Sequence, residues 1–92
     1  MKSVRAHVLV RGLVQGVSFR SSTRRMANSL GLKGWVKNTD DDKVEALFEG
    51  KEDRVNQMIE WCRIGPPSAR VDDVKTEMSD YTGEFGNFEV IL

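Results

Sequence analysis

The chemistry in this chain is concentrated in Arg11-Gly12-Leu13-Val14-Gln15-Gly16-Val17-Ser18-Phe19-Arg20. A hydrophobic run from Ala6 to Val10 ends there in two glycines and an arginine, and a helical pattern begins directly afterwards, so the stretch reads as a strand-loop-helix junction. Glycine at 12 and 16 allows positive φ and close approach to a ligand, which lets successive backbone N–H groups turn inward as an anion-binding nest. Arg20 stands at the helix N-terminus, where unsatisfied amides point outward, and its planar fork of donors suits a phosphate or carboxylate. The competing reading is a plain two-glycine turn. The loop lacks the Gly-Lys-Ser/Thr ending of a nucleotide P-loop and is not one.

The rest of the composition narrows the chemistry by exclusion. His7 is the only histidine and Cys62 the only cysteine, which leaves no Ser-His-Asp triad and argues against a zinc site. Asp40, Asp41 and Asp42 are adjacent, but a calcium loop needs more ligands at longer spacing and a glycine, so they read as a turn. No metal site is expected. Cys62 reads as a core residue, and an unpaired cysteine agrees with a reducing compartment. Fourteen basic and fourteen acidic side chains cancel, yet eight basic residues and no acidic one lie between positions 1 and 37, with every carboxylate at Asp40 or later. A one-signed segment around a glycine loop steers anions inward, although most of its charges also suit a solvated surface. Only Arg20 is singled out by position.

Ninety-two residues, 39% hydrophobic and 30% charged, suit one domain over residues 1–92 with a single core. No apolar run reaches the roughly 18 residues of a membrane span, and the first residues lack a secretory signal pattern. A cytoplasmic protein is expected.

The elements that must carry the loop follow from periodicity. Arg5 to Arg11 alternates, with Ala6, Val8 and Val10 on one face and Arg5, His7 and Arg11 on the other, as in a half-buried strand. A first helix is predicted over Ser21–Leu30, from Phe19, Thr23, Met26, Ala27 and Leu30 at helical spacing, stopped by Gly31. Lys33–Thr39 and the alternating Val44, Ala46 and Phe48 form two strands joined into a hairpin across the three aspartates. Val55, Met58, Ile59 and Cys62 mark a second helix, widened by Trp61 and Ile64 and ended by Gly65-Pro66-Pro67. A fourth strand, Val71–Met78, puts Val74, Thr76 and Met78 on one face, and its Asp72 and Asp73 suggest an edge or a bulge. A polar loop, 79–86, precedes a last short strand with Phe88, Val90 and Leu92 on one side. The order β-α-β-β-α-β plus a short C-terminal strand gives an α+β class chain: a ferredoxin-like sandwich, two helices on one face of a mostly antiparallel sheet.

Two segments carry a further signal. Gly12 to Arg20 resembles the acylphosphatase signature G-x-V-Q-G-V-x-F-R, and Gly34-Trp35-Val36-Lys37-Asn38, followed by Val44-Glu45, resembles the family's second signature, G-[WY]-V-x-N-x-x-D-G-x-V-E. The resemblance spans the whole chain. It implies an enzyme that hydrolyses the carboxyl-phosphate bond of a small acylphosphate to a carboxylate and inorganic phosphate, without metal or cofactor. It further implies that Gln15, Gly16, Val17, Ser18, Phe19 and Arg20 cradle the phosphoryl group, and that Asn38 holds the attacking water. Such an enzyme would act as a monomer on a small molecule, with neither nucleic acid nor membrane as partner. One departure is that Asp42 stands where the family usually has glycine, which puts the turn geometry in question. Two other functions suit the same elements. An RNA-binding sheet would need exposed aromatics, and the outward positions of the first strand, Arg5, His7, Leu9 and Arg11, carry none. A non-catalytic anion-binding module would keep the cradle, but the presence of Asn38 argues against it.

Overall fold

Alternation and helical spacing resolve into seven elements in the computed structural model, which describes residues 2–92: β1 (Ser3–Leu13), α1 (Phe19–Ser29), β2 (Lys33–Asn38), β3 (Val44–Lys51), α2 (Glu52–Ile64), β4 (Arg70–Asp80) and β5 (Phe88–Ile91). The strands form one sheet in the order β4-β1-β3-β2-β5. All neighbours are antiparallel except β2 and β5, which run parallel. Val4, Ala6, Val8 and Val10 of β1 face inward and meet Phe19 and Ala27 of α1 and Val55, Met58, Ile59 and Cys62 of α2 in one core, so both helices cover the same face. Phe48 and Phe88 stack in this core with centroids 5.5 Å apart, and burial of each such ring is worth about 1.5–3 kcal/mol. No helix among the described residues is long and apolar enough to cross a membrane.

The differences from expectation have local causes. α1 starts at Phe19, two residues before Ser21, because Ser18 adopts a left-handed conformation with φ 64° that turns the chain straight into the helix; a serine gives no sequence signal for that. Thr23, buried within α1, satisfies its hydroxyl by donating to Phe19 O at 2.8 Å. Ile64 does not widen the apolar stripe of α2 but is 75% exposed, since two residues past Cys62 is about 200° around the helix. Met78 is half exposed on β4, which is indeed an edge strand. β4 is also bulged: Arg11 pairs with Asp73 and Gly12 with Val71, leaving Asp72 as the extra residue.

No helix among the described residues covers the sheet's other face, yet Leu47 and Glu49 of β3 are buried there. There His7 Nε2 lies 2.6 Å from Glu45 Oε2, and Trp35 stands between the edge of His7 and Lys37 Nζ, 5.4 Å from its ring centroid.

Candidate active site

β1 delivers the chain to the glycine loop, and Val14, buried beneath it, fixes where the loop begins. Gly16 and Ser18 both take left-handed conformations, with φ of 75° and 64°, and this curls the backbone back toward the start of α1. Ser22 N donates to Ser18 O at 3.1 Å and is the first amide to close a helical turn; those of Phe19, Arg20 and Ser21 have no acceptor within the helix. No side chain caps α1 and no acidic residue sits in its first turn, whereas α2 carries Glu52 and Asp53 there. A helix left without a cap forgoes about 1 kcal/mol. The uncapped, positively polarised end of α1 is therefore open to an anion from outside.

A concavity of about 180 Å³ lies at that end. Gly16, Ser18, Phe19, Arg20 and Ser21 line it from the loop and helix, Val14 from below, Asn38 from β2, and Val90 and Leu92 from the end of the chain. Arg20 is half-buried and forms no ion pair or side-chain hydrogen bond among the described residues, unlike Arg5, Arg54, Arg63 and Arg70, which each face a carboxylate. Its fork remains available for a planar or tetrahedral anion. Asn38 Oδ1 is buried with no donor among the described residues. A buried carbonyl oxygen left unpaired costs about 1–3 kcal/mol, and the O–H of a bound water is a donor of the right kind.

Four of the six expected cradle residues, Gly16, Ser18, Phe19 and Arg20, thus share one concavity with Asn38. The Phe19 ring packs inward against Trp61, with centroids 5.5 Å apart, so this residue presents backbone to the site. Val17 packs against the core. Gln15 turns its side chain the other way, with Nε2 donating to Thr39 O at 2.8 Å and to Lys43 O at 2.9 Å. It ties the loop to the β2–β3 hairpin, just after Asn38. Gly12 lies outside the cradle altogether. A Cβ there would fall 2.1 Å from Arg70 O, so this glycine allows β4 to approach β1 at the bulge.

The hairpin holds its shape through Thr39 and Asp41. Thr39 N donates to Lys43 O at 2.9 Å and Lys43 N to Thr39 Oγ1 at 3.0 Å. The Lys43 ammonium and the Thr39 hydroxyl both donate to the Asp41 carboxylate, and these bonds hold its pKa below the ordinary 3.8. Asp42 has φ 67°, so the turn keeps a left-handed residue at this position, with aspartate in place of the usual glycine. The three aspartates form the turn between β2 and β3.

Four lining positions, Val14, Ser21, Val90 and Leu92, lie outside the site residues expected from sequence. The last two reach the site only because β5 pairs with β2, a parallel contact between segments about fifty residues apart that no local pattern encodes.

The acylphosphatase family model matches residues 6–90. An acylphosphatase of Pyrobaculum calidifontis is 52% identical over 89 residues, 96% of this chain and 81% of the relative. One from Pelotomaculum thermopropionicum is 50% identical over 90 residues, 98% of each chain. Among solved structures, the acylphosphatase of Bacillus subtilis superimposes with a TM-score of 0.93 at 34% identity, over 97% of this chain and 99% of that one.

Proposed function

The chain belongs to the acylphosphatase family, and on that premise we propose that it hydrolyses the carboxyl-phosphate bond of small acylphosphates, releasing a carboxylate and inorganic phosphate. The observation that carries this reading is the meeting of Arg20 and Asn38, from α1 and β2, in one concavity at an uncapped helix end. The phosphoryl oxygens sit against the amides of the loop and first helical turn, with the Arg20 fork spanning two of them. Phosphoryl transfer asks a protein chiefly for position and for neutralised charge on these oxygens, and amides plus a guanidinium supply both. Asn38 Oδ1 accepts one O–H of a water molecule and so turns an oxygen lone pair toward phosphorus. The P–O bond to the acyl group breaks as the water oxygen attacks, the acyl oxygen leaves as a carboxylate, and the water's proton passes to a phosphoryl oxygen. A carboxylate leaves readily, which is why an amide rather than a strong base suffices to orient the nucleophile. The scheme asks for no metal or cofactor. It is complete within one chain, which fits a monomer acting on a small molecule rather than on nucleic acid or a membrane, and the free buried Cys62 fits a cytoplasmic setting.

Hydrolysis of benzoyl phosphate in the presence of a chelator tests the reading. Wild type turns over, Arg20→Ala loses about 10³-fold in kcat/KM, and Asn38→Ala loses about 10²–10³-fold in kcat. Phosphate binding without turnover in the wild type would instead make the chain a non-catalytic anion-binding module.

A further inference from the structure

Asn38 ends β2, and β2 would be the edge of the sheet were it not for β5. The four residues Phe88–Ile91 pair with β2 from Gly34 to Lys37, and Val90 and Leu92 close the concavity beside Asn38. Placing β5 there requires the chain to leave β4 at one edge of the sheet and reach the other edge past β1, β3 and β2. The crossing has no helix or strand over residues 81–87. It is held by a side chain that the proposed reaction does not use. Glu49 of β3, 1% exposed, accepts hydrogen bonds from Thr82 N at 2.9 Å, Thr82 Oγ1 at 2.8 Å and Gly83 N at 3.1 Å. Arg5 braces the same segment, 3.8 Å from Glu49 and 3.0 Å from Glu84, with its guanidinium over the Phe85 ring. The chain then enters β5 through Gly34 N donating to Asn87 O at 3.0 Å.

We propose that Glu49 is a positioning residue for Asn38, acting through the crossing it latches and the strand that crossing delivers. A buried carboxylate is costly unless its oxygens are paired, and the donors that pair this one come from the crossing and from Arg5. Without that acceptor, Thr82 N and Gly83 N turn to solvent, β5 frays from β2, and water reaches the Asn38 carboxamide from the strand's open edge. Its hold on a single oriented water is then lost. The phosphate cradle belongs to β1 and α1, which the crossing does not build, so affinity for phosphate persists. The inference rests on the reading of Asn38 as the water-holding side chain.

The test is steady-state hydrolysis of benzoyl phosphate with inorganic phosphate as competitive inhibitor, on proteins shown to be folded by near-ultraviolet circular dichroism. Glu49→Leu is expected to lower kcat about tenfold, because small misplacements of a catalytic group cost up to about 10²-fold, while the phosphate inhibition constant stays within about twofold. Glu49→Gln retains an acceptor oxygen and recovers most of the rate. Thr82→Val removes from an exposed residue the hydroxyl that donates to Glu49 and accepts from Glu84 N, and gives a smaller fall in kcat of the same kind; this variant decides the matter should Glu49→Leu not fold. Wild-type kcat in folded Glu49→Leu and Thr82→Val, with Asn38→Ala impaired, overturns the latch alone. Proportional loss of kcat and phosphate affinity also overturns it. Full activity in Asn38→Ala removes the reading beneath it.

Discussion

Arg20 and Asn38 were both legible as residues, Arg20 from its place after two glycines and Asn38 only through its motif. What the sequence could not convey is their environment among the described residues: a guanidinium without a carboxylate partner and a buried carbonyl oxygen without a donor. Ser18 was equally opaque, since its left-handed backbone, φ 64°, is imposed by the loop closing onto α1 and not by any preference of serine. Asp42 poses the complementary question. A non-glycine residue held left-handed costs about 1–2 kcal/mol, less for aspartate than for most, and the hairpin bonds of Thr39 and Lys43 sustain it. Asp42→Gly is therefore expected to stabilise the protein by about 0.5–1 kcal/mol, raising the thermal midpoint by about 2–8 °C with kcat unchanged; calorimetry alongside an activity assay checks both.

The strand-loop-helix junction and the β2–β3 hairpin each carry half of the proposed site, and Gln15 joins them. Both hydrogens of its amide go to hairpin carbonyls, Thr39 O and Lys43 O, so its contribution is to hold the cradle in register with Asn38. Gln15→Leu should accordingly lower kcat by about 10- to 100-fold, with phosphate inhibition weakened no more than severalfold; equal loss of both would place Gln15 among the phosphate ligands instead. Periodicity identified most of the helices and strands, because Val4 to Val10 of β1 and Val55 to Cys62 of α2 each present one apolar face. It missed how α1 begins, and it could not show that β5 lies beside β2, because that parallel pairing depends on the whole sheet being assembled.

Across the molecule, one core supports both halves of the site, and Cys62 reports on its integrity. Burial pushes the Cys62 thiol up to about 12 from the usual 9.0, so the native protein holds it protonated and inert. At pH 8 an aromatic disulfide reagent should label Cys62 only as fast as the protein opens, and denaturant should accelerate labelling in step with unfolding. The sign of the linked stability follows: an unfolded thiol ionises above pH 9 while the folded one does not, so this group's contribution is complete below pH 9 and declines above it. The basic N-terminal segment reads differently once folded, since Arg5 is paired with carboxylates from later in the chain, whereas Arg20 faces the concavity. The division of labour between Arg20 and Asn38 is open to calorimetric titration of inorganic phosphate into folded Arg20→Ala and Asn38→Ala proteins. Asn38→Ala should bind phosphate within about threefold of wild type despite its lost turnover, and Arg20→Ala should bind at least about 10²-fold more weakly. Equal loss of affinity in the two variants, or undiminished affinity in Arg20→Ala, would contradict the assignment of grip to one residue and water to the other.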